Sequence, residues 1–282
     1  MKVVLCGAFG NLGTEILKHL IDAGHEVVAA DLFDKEVEGY KGKYTSRVID
    51  VTNKESLKGL CDGADVVITT VGLVRKSETL TNYDVDLQGN VNILEEAKAA
   101  GVKHFCYTSV IKADSDPKVG MLDAKHKFEL ALKDSGLTYV IFRPSGYFYD
   151  IAKVFMPMVE KGKVTLLGKK DYHCNVIHTP DLGDFIVKHM LDENKQYNLG
   201  GKETYTYKEI AEMFAKAAGK EVEIKRAPAF LFDLIAFKQR KAPGNIQSLV
   251  RFGKWTMTHE LVGDTVYGES SFKEYIESCY KK

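Results

Sequence analysis

The sequence predicts a doubly wound, parallel α/β sheet with a smaller C-terminal lobe, and three observations carry that expectation. Strand-like and helix-like runs alternate as far as residue 143. A glycine-rich turn, Gly7-Ala8-Phe9-Gly10-Asn11-Leu12-Gly13, joins the first strand to the first helix. An acid, Asp31, closes the second strand. Alternation of this kind builds a parallel sheet with helices on both faces and right-handed crossovers. The glycine turn places backbone N–H groups and a helix N-terminus where a diphosphate would sit.

Each element follows in order. Lys2–Cys6 is a short apolar strand. Residues 11–23 have helical spacing, with Leu12, Ile16, Leu17 and Leu20 recurring on one face. Gly7 permits the sharp turn, Gly10 lets the backbone approach a phosphate, and Gly13 lets the helix pack on the strand. Asp31, about 20 residues beyond the glycines, sits where a carboxylate accepts the hydroxyls of an adenosine ribose. Further strands are expected at 45–49, 65–69, 103–108 and 138–143, with helices at 87–100 and 118–135; Gly101 and Gly136 stand at their C-terminal caps. Beyond Arg143-Pro144 the pattern loosens. A helix is expected at 147–159 and strands at 164–167 and 173–178. Thr179 is read as an N-cap with Pro180 at the first helical position, opening a helix to residue 191. A strand at 196–199 returns to the main sheet, and Thr206 caps a helix to residue 218. The expected division is a nucleotide-binding domain at 1–150. Residues 151–282 would return one or two strands to the sheet and form a small lobe closing over the strand ends, where ligands bind in such sheets.

Composition excludes several classes. The 39 basic and 39 acidic residues cancel, so no field of one sign exists to attract nucleic acid or anionic lipid. No apolar stretch approaches membrane-spanning length; 230–237 is too short and contains Asp233. The five cysteines match no metal or redox spacing, and no histidine spacing suggests zinc. With the first strand at the N-terminus, the expectation is a cytoplasmic protein without a signal peptide.

These residues also carry a resemblance. The GxxGxxG spacing of Gly7 to Gly13, Asp50-Val51 after the third strand, Thr69-Thr70-Val71-Gly72 after the fourth, the run 86–92, Ser135-Gly136-Leu137 with Arg143-Pro144-Ser145-Gly146-Tyr147-Phe148, and Asn175 to Leu182 stand in order along the chain. In that order they resemble the atypical short-chain dehydrogenase/reductases, the Rossmann-fold branch related to NmrA-like and divinyl-reductase-like proteins. The resemblance implies an NAD or NADP cofactor held by Gly7, Phe9, Gly10, Asn11, Leu12, Gly13, Asp31, Asp50, Val51, Thr70, Val71, Gly72 and Lys125. Asp31 favours NAD, because a carboxylate repels the 2′-phosphate of NADP; Lys35 and Arg47 are the nearest cations in sequence.

Carbonyl-reducing members of that family use a Ser, a Tyr and a Lys. Ser109 matches the Ser and Lys125 the Lys, with Glu129 four residues on in support. The Tyr position is Met121, and a thioether has no proton to give. Three answers stay open: Lys125 acts as the acid, or Tyr147 or Tyr149 substitutes, or no catalysis occurs. Lys127 is the alternative if the helix register shifts. His178 falls near the expected rim, and Phe148, Phe155 and Met158 fall where a pocket would be lined, pointing to a partly apolar substrate. The implied function is an NAD(P)-dependent oxidoreductase acting on a small carbonyl or activated alkene. Its rivals are a non-catalytic, dinucleotide-binding redox sensor that acts through a protein partner, and a nucleotide-sugar epimerase or dehydratase.

Overall fold

The structure, a computed structural model, describes residues 1–281. The chain opens with β1 (Lys2–Cys6), α1 (Asn11–Asp22), β2 (Glu26–Asp31), β3 (Thr45–Val48), the short α2 (Lys54–Leu57) and β4 (Val66–Thr69). A π-helical turn, Tyr83–Gly89, runs into α3 (Asn90–Ala99), then β5 (His104–Thr108), α4 (Gly120–Lys133), β6 (Thr138–Pro144) and α5 (Phe148–Glu160). The remainder is β7 (Lys163–Leu167), β8 (His173–Cys174), α6 (Thr179–His189), β9 (Lys195–Gly200), β10 (Tyr205–Thr206), α7 (Tyr207–Ala217), β11 (Glu223–Ala227), α8 (Phe230–Lys238), α9 (Ile246–Met257), β12 (Thr265–Val266) and α10 (Phe272–Ser278).

Eight strands form one parallel sheet in the order β12-β9-β6-β5-β4-β1-β2-β3. The chain winds outward from β1 in both directions, so the order reverses between β1 and β4. At such a reversal the two connecting loops diverge and leave a crevice at the C-terminal strand ends. The sheet is buried on both faces, which is why its strands read as continuous apolar runs. Val3, Leu5, Cys106 and Phe142 pack under α1 and α6; Val4, Cys6, Phe105, Tyr107 and Ile141 pack under α3 and α4. A second core, around Phe155, Phe214, Trp255 and Phe272, joins α5, α7, α9 and α10 into the smaller lobe. All five cysteines are free thiols. Among the described residues no helix is long and apolar enough to cross a membrane.

Three local expectations are corrected. The strand expected at 173–178 stops at Cys174, because Asn175 turns its side chain inward. Its Nδ2 donates to the Gly263 carbonyl (3.0 Å) and its Oδ1 accepts the Gly263 amide (2.8 Å), which breaks the ladder. The N-cap of α6 is His178, not Thr179, since the His178 carbonyl already accepts from Leu182; Pro180 lies in the first turn as expected. The helix expected at 87–100 starts earlier, in the π turn, which directs Asp86 and Asn90 into the protein, both fully buried.

Candidate active site

The glycine turn closes β1 at the sheet's reversal point. Gly7 adopts a φ of +79°, and a Cβ there would fall 2.6 Å from Thr70 Oγ1. That hydroxyl donates back to the Gly7 carbonyl (3.1 Å), which ties the turn after β4 to the turn after β1. A Cβ at Gly13 would lie 2.0 Å from the Gly7 carbonyl oxygen, so α1 touches the turn backbone to backbone. Gly10 caps α1 without a side chain, and the amides of Asn11, Leu12 and Gly13 have no acceptor among the described residues. Unpaired amides at the positive end of a helix dipole match a diphosphate in charge and donor chemistry. Phe9 differs. Its amide donates to Asp31 Oδ2 (2.8 Å), and its ring is buried beside Tyr44, centroids 6.0 Å apart. Asp31 Oδ1 accepts from Leu32 N (2.7 Å), so two amides orient the carboxylate at the end of β2. Arg47 points elsewhere, donating to the Lys58 carbonyl. Asp50 accepts from Thr52, and Val51 packs on Gly89, where a Cβ would approach its side chain to 2.7 Å.

Two residues past Thr70 the same turn meets Lys125. The ammonium lies 3.0 Å from Asp86 Oδ1, both side chains being buried. A Cβ at Gly72 would fall 2.8 Å from that carboxylate and 3.1 Å from Lys125 Nζ, so the glycine leaves room for the pair. Asp86 Oδ2 accepts from Leu73 N (3.0 Å) and Asn82 Nδ2 (2.9 Å). Asn90 links the turn further, accepting from Thr69 and donating to the Val71 carbonyl. Glu129 does not support Lys125 as expected; it binds Arg143 on β6, whose Nε donates to it at 2.8 Å. Lys127 lies on the outer face, paired with Asp123 at 2.7 Å, so the register with Lys125 inward stands. Met121 is buried one turn before Lys125.

Ser109 follows β5, and its hydroxyl is buried without a partner, as are those of Tyr107 and Thr108. Tyr107 carries Lys125 Nζ over its ring at 5.5 Å. Sequence reasoning gave no role to Tyr107, Asp86 or Asn90; the segment 82–92 alternates polar and apolar residues throughout, so nothing in it singles out positions 86 and 90. At the head of α5, Tyr147 and Tyr149 stack at 5.4 Å, and Tyr149 neighbours the Asn11 side chain at the glycine turn. Burial pushes the phenols of Tyr107, Tyr147 and Tyr149 up. Asp150 opens to solvent, yet the surrounding protein pushes its carboxyl up to about 6, with Lys153 pulling it down. His178 stacks on Phe148 at 5.1 Å and sits 3.2 Å from Ser270 Oγ; burial lowers its pKa. Phe148 and Phe155 are buried in the lobe core, with Met158 packed against it.

The chain is similar to known proteins in sequence and in fold. A family model described as the NmrA-like family matches residues 1–262. The chain is 25% identical over 262 residues to the photosystem II assembly factor Ycf39 of Synechocystis, covering 91% of this chain and 76% of that protein. It is 27% identical over 263 residues to the chloroplastic divinyl chlorophyllide a 8-vinyl-reductase of Arabidopsis thaliana, covering 83% of this chain and 62% of that protein. Among solved structures, an NADPH-dependent quinone oxidoreductase of Escherichia coli, crystallised with NADPH, superposes with a TM-score of 0.73 at 20% identity, covering 99% of this chain and all of that one.

Proposed function

The chain belongs to the NmrA-like family, and from that premise we propose that it is an NAD(P)-dependent oxidoreductase acting on a small conjugated carbonyl or activated alkene, with Lys125 as the proton-donating group. One observation carries the reading: Gly72, two residues past the Thr70 that is bonded to the glycine turn, lies against the buried Lys125–Asp86 pair. The residues expected to hold a dinucleotide and the candidate acid are thus contiguous. The relatives named as a vinyl reductase and a quinone oxidoreductase support a conjugated acceptor.

The free amides of Asn11, Leu12 and Gly13 suit the diphosphate, Asp31 the adenosine ribose, and the Thr70–Gly72 turn with Lys125 the nicotinamide end. A bound dinucleotide supplies or accepts hydride. The chain's own residues supply the rest. Asp86 fixes the ammonium, which keeps N–H groups free to meet an oxygen as it gains negative charge. Ser109, one residue past β5, orients that oxygen. The phenols are poorer acids, because a catalytic phenol needs its pKa brought down towards neutrality and burial moves all three the other way. Tyr147 enters the proposal as a wall of the site.

Asp31 gives the cofactor preference. With both oxygens oriented by backbone amides and no cation bonded to it among the described residues, it repels a 2′-phosphate. NADH is expected to be preferred, and Asp31→Asn to shift the NADH-to-NADPH ratio of kcat/KM by about tenfold towards NADPH, or ~1.4 kcal/mol. An unchanged ratio would remove Asp31 from cofactor choice.

The test is steady-state oxidation of NADH and NADPH with a panel of quinones, enones and aldehydes, alongside nicotinamide fluorescence titration. Turnover with a conjugated acceptor supports the proposal. Binding without turnover across the panel overturns it in favour of the second reading, a dinucleotide-binding regulator acting through a protein partner, which Met121 and the assembly-factor relative favour.

A further inference from the structure

Beside the Lys125 site lies an open cavity of about 350 Å³, lined by the π turn, the start of α4, the stretch after α8 and the start of α9. Three cations line it, Lys118, Arg240 and Arg251, and none of them has a carboxylate within 4.0 Å among the described residues. The nearby acids are otherwise engaged. Asp84 accepts from the Thr81 amide and hydroxyl, Asp123 from Tyr83 and Lys127, and Asp116 from the Lys118 backbone amide. Arg251 is braced by donating to the Lys118 carbonyl (2.7 Å), and Arg240 by donating to the Phe237 carbonyl (3.0 Å) while lying 4.0 Å over the Phe237 ring.

Two further features face the same space. Helix α9 begins here, and its N-cap, Asn245, does not cap it. The side chain is spent on the loop after Gly72, donating to Arg75 O (2.9 Å) and accepting from Ser77 N (2.8 Å). The amides of Ile246, Gln247 and Ser248 therefore have no acceptor among the described residues, and Gln247 and Ser248 line the cavity. Asn82, 1% exposed, also lines it; its Nδ2 is committed to Asp86 and Leu73, and its Oδ1 is buried without a partner. Unneutralised cations and free helix amides together describe a place for an anion.

We propose that this cavity is the subsite for an anionic group of the substrate, a carboxylate or a phosphate, so that the acceptor is an acid-bearing conjugated carbonyl or alkene. The substrate part of this inference rests on the function proposed above. The connection to Lys125 is short. Ser248 Oγ accepts the Met121 amide (2.9 Å), and Asn82 donates to the Asp86 carboxylate that holds Lys125. A ligand anchored in the cavity would thus touch residues bonded directly to Met121, one turn before Lys125 on α4, and to Asp86, its buried partner.

Calorimetric titration of the full chain with 1-naphthoate, 1-naphthyl phosphate and neutral 1-naphthol tests the subsite without requiring turnover. Binding of at least one anion, weakened tenfold or more by Arg251→Gln and separately by Arg240→Gln, restored by Arg251→Lys and reduced by added salt, is the expected result; the two anions distinguish carboxylate from phosphate. Anion binding unaffected by either variant overturns the inference, as does equal binding of 1-naphthol. Lys118→Gln, at an exposed side chain, covers the event that Arg251→Gln fails to fold. A kinetic arm compares 1,4-naphthoquinone with its 2-sulfonate. The cavity variants should raise KM for the sulfonate at least tenfold and leave the uncharged quinone unchanged. Equal effects on both overturn the subsite while leaving the oxidoreductase reading intact. Anion binding that follows the cavity variants, in a protein that turns over no acceptor, leaves the subsite standing and removes the redox reading.

Discussion

Lys125→Met should abolish turnover, lowering kcat by about 10²–10⁴-fold, the range that a positioned proton donor contributes. The same change removes the partner of a fully buried carboxylate, Asp86, and breaking one side of a buried pair costs about 3–5 kcal/mol. Loss of activity alone could therefore report unfolding. The double variant Lys125→Met with Asp86→Asn separates the two effects, because it removes the stranded charge and keeps the Asn82 and Leu73 donors supplied with an acceptor. It should melt within a few degrees of the parent, bind NADH, and remain inactive. A folded double variant that still oxidised NADH with a quinone would exclude Lys125 from the chemistry.

The second large effect is at Gly13. A methyl group there would sit 2.0 Å from the Gly7 carbonyl and 2.9 Å from the Ala8 carbonyl carbon, all of it backbone. No side chain can move aside, so helix and turn must separate. Gly13→Ala should cost about 1–3 kcal/mol of stability, the usual range for overpacking. It should also weaken NADH binding by more than tenfold, since the amides of Asn11 and Leu12 shift with the helix. Gly10→Ala provides the contrast. Its added methyl meets only the Gly7 carbonyl, at 3.5 Å, so folding should be unchanged while ligand affinity falls. Thermal melts with and without NADH distinguish the two. Equal melting of Gly13→Ala and the parent would show that this contact does not hold the turn.

The parts of this site that were legible are those where residue type states a backbone requirement. Gly7 and Gly13 could be read because their neighbours leave no room for a Cβ, and Asp31 because a strand end fixes its place. Lys125 was singled out by its match to the family's pattern, and the structure turns it inward onto Asp86. That partner could not be read from the sequence. Four-residue spacing suggested Glu129, but Arg143, brought in by β6, claims that carboxylate, and Asp86 arrives from a segment whose helical period is broken. The strand end at Cys174 was illegible for the same reason. Its cause is the hydrogen bonding of Asn175 to Gly263, 88 residues away. The cationic cavity likewise gathers Tyr83, Lys118 and Arg251 from three distant stretches of a chain whose net charge is zero. Local patterns report local demands, and tertiary partners override them.

The π turn at Tyr83–Gly89 makes the number of residues at this point of the chain matter. A π turn holds one more residue than the α turn that would replace it. Deleting a single residue from it would restore α geometry and rotate everything upstream by about 100° relative to α3. Asp86 would swing off Lys125 and Asn82 off the neighbouring cavity in one step, although no residue named in the chemistry had been substituted. Length at this point is therefore a determinant in its own right: a chain one residue shorter between Asp86 and α3 would keep the glycine turn, Asp31, Ser109 and Lys125 and still separate Asp86 from Lys125.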